Sequence, residues 1–142
     1  MKTFNQEQTE TLVQGVKYLL TAVGDDPERT GLLETPERVI KAHAEIYAHT
    51  GETTFKDYKL FDTTDDADMV IVEDIPFYAM CEHHLLPFFG TIDVAYVPDG
   101  EVIGLSKIPR LVDWASRRPS VQENLTALIA DQMQRIVHPK GL

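Results

Sequence analysis

Ile75-Pro76-Phe77-Tyr78-Ala79-Met80 passes through Cys81-Glu82-His83-His84 into Phe88-Phe89-Gly90-Thr91-Ile92-Asp93-Val94-Ala95-Tyr96-Val97. Both flanks are strand-like. Ile92, Val94 and Tyr96 alternate with Thr91, Asp93 and Ala95, the period of an antiparallel strand with one face buried. The stretch therefore reads as a β-hairpin, and Pro98-Asp99-Gly100 closes its return strand as a turn. Its connecting turn holds the only cysteine of the chain, beside two histidines. Thiolate sulfur and imidazole nitrogen are donors that zinc prefers, and Cys81 and His84, at i and i+3, can close on one ion. Zinc would bring the pKa of a water toward neutrality, and His83 could then move protons, since imidazole titrates near working pH. The same four residues also fit a tight turn with a buried cysteine and two solvated histidines.

Outward from the hairpin, Met69-Val70-Ile71-Val72 is a further β-type segment. Upstream, residues 52–67 are polar, acidic and punctuated, and read as a loop. Before them lie two helices. Leu12, Val13, Val16, Leu19, Leu20 and Val23 recur at helical spacing with Gly24 as a stop. Thr35 caps the second helix with Pro36 at its first position, its stripe uses Val39, Ile40, Ile46 and Tyr47, and Gly51 ends it. His43 falls on that stripe and reads as a satisfied, semi-buried histidine. Downstream, one helix covers about Pro109 to Arg117, with Leu111, Val112 and Ala115 inward. Another opens at Ser120 and carries Val121, Leu125, Leu128, Ile129, Met133 and Ile136. The order is α-α, then β-β-α-α. Gly141 reads as a helix C-cap and Leu142 as the first residue of another strand. Two helices on a two-stranded hairpin would leave apolar sheet uncovered, so the expectation is of a chain that continues.

The 142 residues suit one α+β domain, divided into an N-terminal helical region (1–67) and a core (68–142). No apolar run is long enough for a bilayer, and the polar start lacks a signal-peptide core. A single cysteine excludes an internal disulfide and suits a reducing, cytoplasmic setting. The net charge of −10 argues against wrapping nucleic acid. That charge is uneven: residues 1–103 carry 7 Lys and Arg against 20 Asp and Glu, residues 104–142 carry 6 against 3. A small basic region on an acidic protein suits a compact anion such as a nucleoside triphosphate, although solvated helix faces fit too, and for Arg135 and Lys140 fit better.

Ser106, Lys107 and Arg110 place a hydroxyl and two cations at the mouth of a helix, where free N–H groups and the dipole favour phosphate. The competing reading is a helix cap with solvated cations. Ser120-Val121-Gln122-Glu123 fits a capping box, and from pattern alone the cap is the better explanation of Glu123. The functional alternative is a carboxylate accepting from the N1–H and 2-amino groups of guanine, with Gln122 beside it.

Cys81-Glu82-His83-His84, Val102-Ile103-Gly104-Leu105-Ser106-Lys107-Ile108-Pro109-Arg110 and Arg118-Pro119-Ser120-Val121-Gln122-Glu123-Asn124-Leu125-Thr126 together closely resemble GTP cyclohydrolase I. Gly31-Leu32-Leu33-Glu34-Thr35-Pro36-Glu37-Arg38 also looks like that family's helix-opening motif. The resemblance covers nearly the whole chain from about residue 8. It implies conversion of GTP to 7,8-dihydroneopterin triphosphate and formate, the first step toward tetrahydrofolate and other pterins. It makes Cys81 and His84 zinc ligands and His83 the catalytic acid/base. Gln122 and Glu123 would anchor guanine, Lys107 and Arg110 would engage the triphosphate, and Ser106 would lie near the ribose.

The implied fold is the tunnelling fold, β-β-α-α-β-β behind N-terminal helices, whose subunits pool strands into a homodecamer of two stacked pentamers. The family's last β-hairpin, with a His-x-Cys that supplies another histidine and the third zinc ligand, has no counterpart in residues 1–142. Two alternatives stand beside the enzyme: a non-catalytic tunnelling-fold module for nucleotide binding or assembly without a complete zinc site, and a related enzyme using Cys81 as a covalent nucleophile.

Overall fold

The structure is a computed structural model that describes residues 3–64 and 68–142. Met1 and Lys2 of the polar start, and Asp65, Asp66 and Ala67 at the end of the stretch read as a loop, lie outside the described residues. The chain forms two compact units, one up to Ala48 and one from His49 to Leu142.

In the first unit, α1 spans Gln6–Ala22. Asn5 caps it in a reciprocal box: its side chain accepts from the Gln8 N–H at 2.8 Å, and Gln8 accepts from the Asn5 N–H at 3.0 Å. The apolar stripe is helical as expected, yet none of its residues is buried. The second helix, α2, spans Thr35–Ile46. Thr35 is already helical and Glu34 holds the cap position without a side-chain bond, so the sequence reading was one residue late. His43 is half-buried, its Nδ1 2.8 Å from the Val39 carbonyl, which satisfies it locally.

The second unit carries β1 (Leu60–Asp62), β2 (Val70–Cys81), β3 (Pro87–Tyr96), β4 (Glu101–Ile103), α3 (Lys107–Ser116), β5 (Pro119–Ser120) and α4 (Gln122–Val137). The mixed α+β character is as the sequence implies, with two differences. The two β-type segments before the cysteine form one strand, β2, bent at a bulge between Val72 and Ile75 where Asp74 takes a left-handed φ of 55°. The stretch read as a loop contributes β1, which pairs antiparallel with β4, Leu60 opposite Ile103. A three-residue strand is too short to show a period.

β2 and β3 pair antiparallel from Val70–Tyr96 to Met80–Pro87. One face of this ribbon, with Ile75, Phe77, Ala79, Val94 and Tyr96, is buried in a core completed by Ile108, Leu111, Val112 and Ala115 of α3 and Leu125, Ile129, Met133 and Ile136 of α4. The other face stays open: Tyr78 is 75% exposed and Phe89 72%, their rings 5.9 Å apart. The Tyr96 hydroxyl accepts from the Ile103 N–H at 3.2 Å, which fixes β4 just ahead of α3.

At the end of α4 the left-handed residue is His138 (φ 47°), whose N–H returns to the Gln134 carbonyl; Gly141 is therefore not the cap. Gly141 instead bridges Val97, whose N–H donates to the Gly141 carbonyl at 2.9 Å while the Lys140 N–H donates to the Val97 carbonyl at 2.9 Å.

Candidate active site

The Cys81-Glu82-His83-His84 turn is set by backbone bonds. The Cys81 N–H donates to the Leu86 carbonyl and the Leu85 N–H to the Cys81 carbonyl, both at 2.8 Å. Closing the turn puts Leu85 at φ 54°, a conformation that costs a non-glycine residue about 1–2 kcal/mol. A third bond matters most: the Glu82 N–H reaches the Ser120 carbonyl at 2.9 Å. Through it β2 pairs in parallel with β5, Met80 beside Pro119 and Cys81 beside Ser120. Two residues further on α4 begins, so its first turn, with Gln122 and Glu123, is fixed beside the Cys-His-His turn.

This junction overturns the capping-box reading. Ser120 is buried in β5, its hydroxyl bonds the Val121 carbonyl at 3.2 Å, and the cap residue is Val121 with no side-chain bond. The serine is committed to the strand, so it cannot reach back over the helix. Gln122 and Glu123 are exposed, and among the described residues neither side chain has a hydrogen bond or ion pair.

Within the turn, the Cys81 sulfur lies 3.8 Å from His83 Nδ1, and His83 Nε2 lies 4.0 Å from the Glu82 carboxylate. The His83 side chain is 64% exposed. The His84 ring, also exposed, meets that of His83 edge-on with centroids 6.2 Å apart. Sulfur and imidazole are the donor chemistry of zinc, but among the described residues no group of three or more His, Cys, Asp or Glu is arranged to hold a metal ion. The donor type fits zinc, and the sulfur–imidazole approach seen within the turn is that of Cys81 and His83.

The second group of expected residues lies at the head of α3. Ser106 occupies the cap position, exposed and without a side-chain cap bond, so capping does not explain it. Lys107 and Arg110 are ion-paired, Arg110 remaining 58% exposed: Lys107 Nζ donates to Asp57 Oδ1 at 2.5 Å and Arg110 Nη1 to Asp57 Oδ2 at 2.9 Å. The Lys107 bond, then the Arg110 bond, hold the Asp57 carboxyl below its ordinary pKa.

Asp57 was missed by sequence reading, for it sits in a polar stretch with nothing to single it out. What brings it here is the backbone around it. The Gly104 N–H donates to the Lys59 carbonyl at 2.9 Å, beside the β1–β4 ladder. Further back, the Phe55 N–H donates to the Gln132 side chain at 2.8 Å, and Gln132 donates in turn to the Thr53 carbonyl. Arg135 donates to the Phe55 carbonyl at 3.0 Å and so is not the solvated cation expected.

Below the cation pair opens a cavity of about 710 Å³, lined in part by His49, Glu52, Asp57, Arg110, Asp113 and Trp114. Glu52 accepts from the Trp114 indole N–H at 2.8 Å and faces His49 at 3.0 Å, and these two bonds, the indole's first, hold its carboxyl below the usual pKa. Arg118 stacks on the Trp114 ring, 4.4 Å from its centroid, and donates to the Glu52 carbonyl at 2.7 Å; burial pushes its guanidinium pKa down.

An α+β unit that ties a thiol–imidazole turn to a helix head bearing an amide and a carboxylate, and carries a cation pair at the head of another helix, has the parts of a nucleotide-converting enzyme. Comparison with known proteins makes the class specific. The model of the family described as GTP cyclohydrolase I matches residues 12–142, and the chain belongs to that family. It is 56% identical over 140 residues to GTP cyclohydrolase 1 of Latilactobacillus sakei subsp. sakei (strain 23K), covering 96% of this chain and 74% of the relative. It is 55% identical over 139 residues to GTP cyclohydrolase 1 of Lactiplantibacillus plantarum (strain ATCC BAA-793 / NCIMB 8826 / WCFS1), covering 97% and 72%. With GTP cyclohydrolase 1 of Enterococcus faecalis (strain ATCC 700802 / V583) it shares 51% over 138 residues, covering 96% and 74%.

Proposed function

We propose that the chain is a GTP cyclohydrolase I, releasing formate from GTP and forming 7,8-dihydroneopterin triphosphate on the way to tetrahydrofolate. The observation that carries this is the Glu82–Ser120 backbone bond, which fixes the Cys-His-His turn beside the exposed Gln122 and Glu123. Zinc, held by Cys81 and His84 together with a third donor, would supply an activated water and polarise the reacting carbon. Glu123 accepts from the guanine N1–H and 2-amino group and Gln122 completes the base contacts, which aims C8 at the turn. His83, exposed and next to the thiol, takes the proton of the attacking water and returns it to the imidazole nitrogen that leaves. Two waters add to the ring carbon and one departs when the pterin ring closes, so the net change is one water in and one formate out. Lys107 and Arg110 hold the triphosphate and Ser106 the ribose.

The antiparallel β2–β3 ribbon backed by α3 and α4 is compatible with a tunnelling fold of which residues 68–142 are the core and residues 1–67 an N-terminal region. Its open face, with Ile71, Tyr78 and Phe89, suits strand-pooling self-association into a decamer. No helix among the described residues is long and apolar enough to cross a membrane.

The test is incubation with GTP and zinc, reading formate and pterin fluorescence. Both should appear and both should be lost in Cys81→Ala together with bound zinc. GTP binding with neither product would favour the non-catalytic module. Activity in a Cys81→Ala protein that no longer holds zinc would remove the metal from the reading.

A further inference from the structure

Asp57 has no place in the reaction just described, yet it makes the shortest charged contact at the cation pair, 2.5 Å to Lys107 and 2.9 Å to Arg110. One carboxylate spans both cations, one oxygen to each. Lys107 Nζ and Arg110 Nη1 are donors that a phosphate would also use, so a carboxylate and a phosphate compete for the same pair of charges. The segment carrying Asp57 is tied down on both sides, at Phe55 by Gln132 and at Lys59 by Gly104. The carboxylate is thus tethered where it can leave the cations only by a side-chain movement, and it is exposed enough to make one, at 54%.

We propose that Asp57 is a tethered competitor that must leave Lys107 and Arg110 when the triphosphate binds. This rests on the reading of those two residues as the phosphate end of the site. Its consequence is a threshold. Every anion meets the same displacement cost, so weakly held anions such as inorganic phosphate bind the pair more weakly than they would bind the two cations freed of Asp57. A triphosphate, with several charges and a guanine anchored at the other end, still binds. Exposed ion pairs are individually weak. Freeing the two cations should therefore tighten anion binding by roughly three- to tenfold.

The experiment is calorimetric titration of the protein with inorganic triphosphate, and separately with inorganic phosphate. Asp57→Asn keeps the size of the side chain and removes its charge, and it should bind inorganic triphosphate roughly three- to tenfold more tightly. Phosphate binding should tighten by a similar factor. Asp57→Glu, which keeps a carboxylate, should bind like the parent. Weaker binding in Asp57→Asn would make Asp57 an aid that orients the cations, and unchanged binding would mean that it stays in place beside the ligand; either overturns the proposal. The double variant Lys107→Ala/Arg110→Ala separates the two levels. If it binds triphosphate like the parent, the phosphate-end reading fails and Asp57 with it. If it loses binding while Asp57→Asn gains none, only the Asp57 proposal falls.

Discussion

The two ends of the proposed site are built by opposite means. At the Cys81 end, backbone bonds do the positioning: Cys81 to Leu86, Leu85 to Cys81, Glu82 to Ser120. The side chains of His84, Gln122 and Glu123 are left exposed and, among the described residues, without hydrogen bonds to one another. At the Lys107 end side chains do the positioning: Lys107 and Arg110 share one carboxylate, Asp57, fifty residues upstream of Lys107. The first end is a rigid frame with open chemistry, the second a closed ion cluster that has to be opened. Substitutions at the first should therefore cost chemistry directly, and those at the second should change binding or stability by smaller amounts.

The largest effects belong to the turn. His83→Ala should lower formate release about 10²- to 10⁴-fold, the usual loss for a general acid/base, at unchanged zinc content. Zinc lost together with activity would instead make His83 a ligand, which its 3.8 Å approach to the Cys81 sulfur leaves geometrically near. Next comes Glu123→Gln. Losing hydrogen bonds to a charged acceptor costs about 1.5–3 kcal/mol, so kcat/KM for GTP should fall about ten- to a hundredfold. Were Glu123 a capping-box residue after all, glutamine would serve in its place, and the variant would leave both the kinetics and the melting temperature alone.

At the other end the expected effects are on stability. Gln132 is 1% exposed and holds the Phe55 N–H. Gln132→Ala leaves that donor without its partner, at a cost of about 1–3 kcal/mol in urea unfolding. By loosening the segment that carries Asp57, it should also tighten inorganic triphosphate binding in the direction expected for Asp57→Asn. The smallest effect is a pH dependence. The folded-state pKa of Glu52 is depressed, chiefly by the Trp114 indole. Its stabilising contribution is complete above the ordinary carboxylate range and is lost as pH falls through that depressed value. Glu52→Gln should therefore be less stable than the parent at neutral pH, with the gap closing in acid. A gap that widened in acid would contradict this.

The same contrast decides how much could be read from the sequence. The hairpin was legible because period-2 alternation in residues 91–96 is a local signal, and the helices α3 and α4 because their stripes are regular. The site residues could be proposed from sequence because they sit in short contiguous motifs. What failed was non-local. The Ser120-x-x-Glu123 pattern named a cap, but pairing with Cys81 claims the serine for β5 and starts the helix later. β1 was hidden in a polar stretch because its partner, β4, lies about forty residues away. Asp57 left no signal at all, since only the folded backbone brings it to Lys107 and Arg110. Arg135 was assigned to solvent although it reaches the Phe55 carbonyl.

The junction of turn and helix head is the central claim, and product formation tests it most directly. Incubated with GTP and zinc, the protein should release formate in step with the appearance of pterin fluorescence, and Glu123→Gln should lower both together at saturating zinc. GTP bound at the Gln122–Glu123 end with no formate released would contradict it.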